Sequence, residues 1–285
     1  LAVVLSRKTG RPVKMTMSRE EVFRATGHAP ATRIRVKIGA QKSGLITAME
    51  TYMEYEAGAF HNGSMHEAQM NIFSCYNTAN VRVEGIDVLV NKLNVAPYRA
   101  PGLPQALLAC ESVVDELARE LRIDPIDLRL MNVCKEGDTS LIGMKLGPLG
   151  LEEALVKAKE HPHYLADLAE NQGRGVACAF YLGGSCHSSA TLHLTEAGKL
   201  NLLVGTPDIG GSRASMVLMA AETLDIPVDF IHPQVGDTDT VGFSDVTGGS
   251  RVTVATGAVV IAAAEKIKHE LRNRAALIWE DDLDN

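Results

Sequence analysis

Asn94-Val-Ala-Pro-Tyr-Arg-Ala-Pro-Gly-Leu-Pro-Gln105 packs three prolines, one glycine and a single cation, Arg99, into twelve positions. Pro97, Pro101 and Pro104 each fix φ, remove a backbone donor and bias the preceding residue towards extended geometry. The stretch is therefore expected to contain neither helix nor central strand. Before it, Val81, Val83, Ile86, Val88 and Val90 follow a strand pattern. After it, Ala106 to Leu121 has helical apolar spacing. The segment thus reads as a stiff strand-to-helix connection presenting Tyr98 and Arg99 in one pose. A rigid loop with one guanidinium suits an anionic ligand, since little ordering entropy remains to be lost. The same residues also suit an ordinary proline-rich turn with a solvated arginine.

The chain has 285 residues, 46% of them hydrophobic, enough for one large core or two medium ones. A net charge of −7 without any Lys/Arg run argues against nucleic acid. The longest apolar stretch, Thr256 to Ala264, is too short to cross a bilayer. Five cysteines (Cys75, Cys110, Cys134, Cys178, Cys186) lack Cys-x-x-Cys spacing, against a disulfide framework, a zinc site or an iron–sulfur cluster on this chain. Buried reduced thiols and a cytoplasmic setting are expected. Leu1 to Gly10 reads as the end of a helix, followed by a strand from Pro12 to Met17. A helix without a starting cap, and a last segment from Trp279 that stops as it begins, suggest an internal fragment of a longer polypeptide.

Ser18 is an N-cap candidate, and Arg33 to Ile38 and Ile46 to Ala57 form an expected antiparallel pair around the turn Gln41 to Gly44. His61 and His66 flank Asn62-Gly63 and read as surface residues of a turn, without a third ligand nearby. Asp124 caps a helix opened by Pro125. Asp115, Glu116, Glu120 and Asp127 read as a solvated face paired with Arg119, Arg122 and Arg129. Glu136 to Pro148, rich in glycine and polar residues, is the expected linker between subdomains spanning 1–135 and 149–285. Val176 to Tyr181 suits a buried strand, with Thr191 to Thr195 beside it.

Beyond the linker, the strand Lys199 to Val204 leads into Gly205-Thr-Pro-Asp-Ile-Gly-Gly-Ser-Arg213 and a helix through Leu224. Free backbone N–H groups at Gly210, Gly211 and Ser212 would form an anion site at the helix start; a plain strand-to-helix turn is the other reading. A strand ending at Gly236 is followed by Thr247-Gly-Gly-Ser-Arg251 and a long helix to about Leu271. This second glycine-rich opening, with Gly248, Gly249 and Ser250 as candidate contacts, favours a phosphorylated or otherwise anionic cofactor. A Walker loop and Gly-x-Gly-x-x-Gly are both missing, against a nucleotide-binding protein.

Tyr98 to Gln105, Glu111 to Ala118 (Glu-Ser-x-x-Asp-Glu-Leu-Ala) and Asp124 to Asn132 (Asp-Pro-x-Asp-Leu-Arg-x-x-Asn) together resemble the large subunit of the xanthine dehydrogenase/aldehyde oxidase family of molybdenum hydroxylases. The resemblance extends to Ala57-Gly-Ala-Phe60, to Ala221-Glu-Thr-Leu-Asp-Ile-Pro227, and to the Gly236–Thr238 and Gly249–Arg251 segments. It departs at Gly210-Gly211, where a glutamine is frequent in the family. It implies an α+β fold, with mixed sheets and packed helices in two subdomains, around a molybdopterin-type molybdenum cofactor. [2Fe–2S] clusters and FAD would lie on partner chains or domains, within an oligomer. The implied reaction oxidises an aldehyde, an N-heterocycle or a related aromatic, with water as oxygen source. Tyr98 and Arg99 would line the substrate pocket, and Gly210, Gly211, Ser212, Gly248, Gly249 and Ser250 would contact the cofactor. The family's general-base glutamate would lie beyond Asn285, so turnover by this stretch alone is not expected. Copper-containing CO dehydrogenases of the family have cysteine immediately after the arginine; Ala100 stands there, disfavouring CO as substrate. A non-catalytic cofactor-binding or assembly subunit is the alternative.

Overall fold

The computed structural model describes residues 1–61, 63–181, 183–184 and 186–280. Asn62, in the expected Asn-Gly turn, and residues 281–285 lie outside them. The chain forms two compact units, Leu1–Tyr181 and Leu182–Asn285.

The first unit runs α1 (Ala2–Thr9), α2 (Arg19–Ala25), β1 (Thr32–Ala40), β2 (Ile46–Gly58), α3 (Met65–Asn71), β3 (Asn80–Leu89), α4 (Leu103–Leu121), α5 (Pro125–Asn132), α6 (Leu151–Glu160) and α7 (Pro162–Leu165). Its sheet has the order β1-β2-β3. β1 pairs with β2 antiparallel, Thr32 opposite Tyr55, whereas β2 pairs with β3 in parallel, Tyr55 opposite Asp87. Alternation along β2 buries Met49, Thr51, Met53, Tyr55 and Ala57, and α4 covers that side with Ala106, Cys110, Val114 and Ala118. Ser18 closes a full capping box with Glu21, and Asp124 accepts from the N–H groups of Ile126 and Asp127.

Several expectations needed revision. Helix α4 begins at Leu103, so Pro104 and Gln105 are helical; a proline in the first turn removes only a donor that has no partner there. Residues 12–17 form no strand. Val176 to Tyr181 is not a strand either: the N–H of Cys178 donates to Glu111 Oε2 at 2.7 Å rather than to a neighbouring strand. Arg129 is not on a solvated face but fully buried. Its Nε and Nη2 donate to Glu111 Oε2 at 3.0 and 2.9 Å, and its Nη1 lies 2.8 Å from Asp115 Oδ1. Tyr76 donates to the other Glu111 oxygen at 2.6 Å, which satisfies the buried carboxylate on both sides. Four cysteines are buried, but Cys186 is exposed. Apart from these revisions, the interval Glu136 to Pro148 and α6 after it pack within the first unit, Leu155 joining its core and Tyr164 donating to Asp124 at 2.8 Å.

The second unit runs β4 (Ala190–Leu194), β5 (Leu200–Val204), α8 (Ser212–Leu224), β6 (Ile231–Val235), a π-helical turn (Val252–Thr256) and α9 (Gly257–Trp279). Its sheet has the order β4-β5-β6, antiparallel then parallel. Leu200, Leu202 and Val204 meet Met216, Val217 and Ala220 of α8 and Val260 of α9 in its core. A Cβ on Gly257 would stand 2.6 Å from Met219 Sδ, so glycine is what lets α9 approach α8 this closely.

Candidate functional site

In the first unit the Asn94–Gln105 loop is held from below, with Tyr98 and Arg99 left bare. Tyr98 is 71% exposed, and Arg99 is exposed beside it. The support is backbone contact that side chains would prevent. A Cβ on Gly27 would fall 2.4 Å from that of Ala96. On Gly58 it would fall 2.3 Å from the Leu93 carbonyl oxygen, and on Gly102 2.1 Å from that of Ser64. Val95 N–H donates to the Ala57 carbonyl at 3.2 Å, and Phe60 N–H to Asn94 Oδ1 at 2.9 Å. Beneath, the fully buried Tyr55 donates its hydroxyl to the Gly102 carbonyl at 2.7 Å; burial raises its pKa and keeps it a donor. Ala100 adopts φ 54°, a left-handed conformation costing a non-glycine residue about 1–2 kcal/mol. Strain of this kind next to Arg99 persists because the surrounding contacts over-determine the loop. The Gly27, Tyr55, Gly58 and Ser64 supports were not read from the sequence as parts of this loop; only the Ala57–Phe60 motif hinted at one of them.

In the second unit both glycine-rich openings stand where expected, at the starts of two helices that pack together. Gly210, Gly211 and Gly248 are exposed, and a Cβ on any of them would meet nothing within 4 Å. Two of the three backbone donors expected to be free at the first opening, those of Gly210 and Ser212, are taken. Asp208 Oδ1 accepts from the N–H of Gly210 at 3.0 Å and from the N–H and hydroxyl of Ser212 at 3.2 and 2.9 Å, while Oδ2 accepts from Arg213 Nε at 2.7 Å. Arg213, then Ser212 and the Gly210 N–H, push the Asp208 pKa down to about 2. The chain's own carboxylate thus takes the anion position there, an Asx-type closure foreshadowed only by an aspartate two residues before the glycine pair.

The second opening is built differently. Gly249 and Ser250 have φ of 57° and 59°, and Arg251 is 1% exposed. Arg251 Nη2 donates to the His187 carbonyl at 2.8 Å and to Ser188 Oγ at 2.5 Å, while Nε and Nη1 have no hydrogen-bond partner among the described residues. His187 and Asp245 clasp each other: His187 N–H donates to Asp245 Oδ2 at 2.8 Å and Asp245 N–H to the His187 carbonyl at 3.0 Å. Gly184 N–H donates to the Gly249 carbonyl at 2.6 Å. The π-helical turn that follows is an uncommon element, frequent at functional sites. Unpaired guanidinium donors beside bare glycines fit an oxyanion-bearing ligand. Among the described residues, no group of three or more His, Cys, Asp and Glu could hold a metal ion directly, and no helix is long and apolar enough to cross a membrane.

Two family models match, both described as a molybdopterin cofactor-binding domain, over residues 1–133 and 154–285. The interval Glu136 to Pro148 falls between them. The xanthine dehydrogenase molybdenum-binding subunit of Escherichia coli O157:H7 is 29% identical over 97% of this chain and 39% of its own length. The aldehyde oxidoreductase of Megalodesulfovibrio gigas is 29% identical over 94% of this chain and 31% of its own. The chain therefore spans roughly a third of the curated relatives it matches. Among solved structures, aldehyde oxidoreductase from Desulfovibrio gigas superposes with a TM-score of 0.81 at 27% identity, over 92% of this chain and 31% of that one. Quinoline 2-oxidoreductase from Pseudomonas putida 86 shares the fold, with a TM-score of 0.83 at 22% identity over 99% and 40%.

Proposed function

The chain belongs to the molybdopterin cofactor-binding family of xanthine dehydrogenase and aldehyde oxidoreductase molybdenum-binding subunits, and on that premise we propose that it is the cofactor-holding part of a molybdenum hydroxylase. The bound cofactor supplies a two-electron oxidation of a substrate carbon, with water as the source of oxygen. The chain's own share is placement and charge. Gly248, Gly249 and Ser250 hold the cofactor's oxyanion edge through backbone and hydroxyl donors. Gly211 contributes its N–H; Gly210 and Ser212 shape the surface while Asp208 takes their donors. Tyr98 and Arg99 line the substrate pocket.

The observation that carries this reading is the loop: an exposed guanidinium on a backbone that three glycine contacts fix in place. Such a group meets a carbonyl or developing oxyanion without reorganising first, which is where electrostatic stabilisation is strongest. Aldehydes, N-heterocycles or related aromatics are the substrate class. Relatives named aldehyde oxidoreductase and nicotine 6-hydroxylase large subunit support that range. Electrons leave to [2Fe–2S] clusters and FAD on partner chains or domains.

In the full-length enzyme, Arg99→Lys keeps the charge but loses the planar fork. It lowers kcat/KM by roughly ten- to a thousandfold, with molybdenum content unchanged. Unchanged turnover per bound metal together with a lower Tm would instead make Arg99 a loop brace and end its active-site role.

A further inference from the structure

Residues 187–189 and 242–245 of the second unit are strapped to each other. Besides the His187–Asp245 clasp, Ser189 N–H donates to Ser244 Oγ at 3.2 Å and Ser189 Oγ to the Gly242 carbonyl at 2.7 Å. On this fixed backbone two rings stand in water: the His187 side chain is 87% exposed and Phe243 is 73% exposed. Their centroids lie 6.4 Å apart with the planes tilted by 55°, the geometry of an aromatic contact. Asp245 Oδ2 lies 3.2 Å from His187 Nδ1. A carboxylate at that distance holds the proton on Nδ1, so the neutral ring offers Nε2, on its other edge, as an acceptor. Pairing at a surface contributes little stability, and a phenyl ring held in water forgoes its burial. A ligand ring lying on Phe243 accounts for both.

We propose that His187, oriented by Asp245, and Phe243 form a binding site for an aromatic molecule carrying an O–H or N–H donor. The ligand ring packs on Phe243, and its donor meets His187 Nε2. As a statement about substrate this rests on the hydroxylase reading above, which it narrows to phenolic aromatics and heterocycles with a ring N–H. A plain aromatic gains the apolar contact without the hydrogen bond. The Asp245 charge works against an anionic ligand here and in favour of a donor.

The test uses full-length, cofactor-free protein and two probes that differ by one hydroxyl, para-hydroxybenzaldehyde and benzaldehyde. Ligand-observed NMR titration gives a Kd for each. The parent is expected to bind the hydroxylated probe about three- to tenfold tighter, the range of one hydrogen bond. His187→Phe keeps a ring and is expected to erase that preference. Asp245→Ala, which frees the tautomer, is expected to reduce it, and Phe243→Ala to weaken both probes alike. Equal Kd values in the parent, binding of neither probe, or an undiminished preference in His187→Phe or in folded Asp245→Ala overturns the site. If Asp245→Ala does not fold, His187→Phe decides alone, since its ring stands in water and supports no core. The hydroxylase reading is judged separately, on the molybdenum-loaded parent. If that enzyme oxidises neither aldehydes nor N-heterocycles, the hydroxylase reading fails, and the binding constants still decide the site.

Discussion

The same four residues, Gly-Gly-Ser-Arg, open α8 at Gly210–Arg213 and the π-helical turn at Gly248–Arg251, and they end in opposite states. At the first, Asp208 folds back onto the backbone donors, and Arg213 stays half exposed as that aspartate's partner. At the second, the position equivalent to Asp208 is Val246, and among the described residues no carboxylate closes the opening and two nitrogens of the buried Arg251 are unpaired. The difference teaches that a glycine-rich helix start is an anion site only if the chain does not fill it itself. Arg129 completes the comparison as a guanidinium buried as deeply as Arg251 but matched by Glu111 and Asp115.

The largest expected effect separates the two buried arginines. Arg129→Met strips Glu111 of its cation inside the core and costs about 3–5 kcal/mol, the range for breaking a buried pair. Arg251→Met in cofactor-free protein abandons no carboxylate and costs less than half of that. Urea unfolding of both variants checks this, and equal losses would erase the distinction.

A transplant comes next. Val246→Asp sets a carboxylate five residues before Arg251, the spacing of Asp208 to Arg213. It should close the second opening from within and lower pterin retention of the full-length enzyme by about tenfold or more, because it competes for the same donors. Unchanged pterin content would mean that the openings differ for some other reason.

The smallest effect is at Asp208. Asp208→Asn should lower Tm by a few degrees at neutral pH through a weaker helix start. The sign of its pH dependence follows from a folded pKa of about 2, below that of the unfolded chain. The aspartate's contribution is complete above the ordinary carboxylate range and fades as pH falls towards 2, so the two proteins' Tm values converge between about pH 4 and pH 2. A gap that persists at pH 2 would show that charge is not what closes this opening.

Much of the architecture was legible because its signals are local. The Ser18 and Asp124 caps, the β1–β2 pair around Gln41 to Gly44, the strand before Asn94 and the helix after it all follow from periodicity and terminators read within a dozen residues. Val176 to Tyr181 misled because an apolar run says nothing about its backbone partner, and Glu111, some seventy residues earlier, answers the Cys178 N–H in place of a strand. Arg129 misled because helical spacing pairs it with surface carboxylates, whereas its side chain reaches across to α4.

The candidate site divides along the same line. By itself the sequence determined that Tyr98 and Arg99 sit on a stiff turn and that two helices start with glycine and serine, since proline and glycine act on their own backbone. Only the tertiary structure decided which of these groups is free. It set the Gly27, Gly58 and Gly102 contacts beneath the loop, turned Asp208 into one opening, turned Asp245 towards His187, and buried Arg251 without a counter-charge among the described residues. A polar group's availability depends on every partner within about 3 Å, and those partners come from distant parts of the chain that no local pattern records.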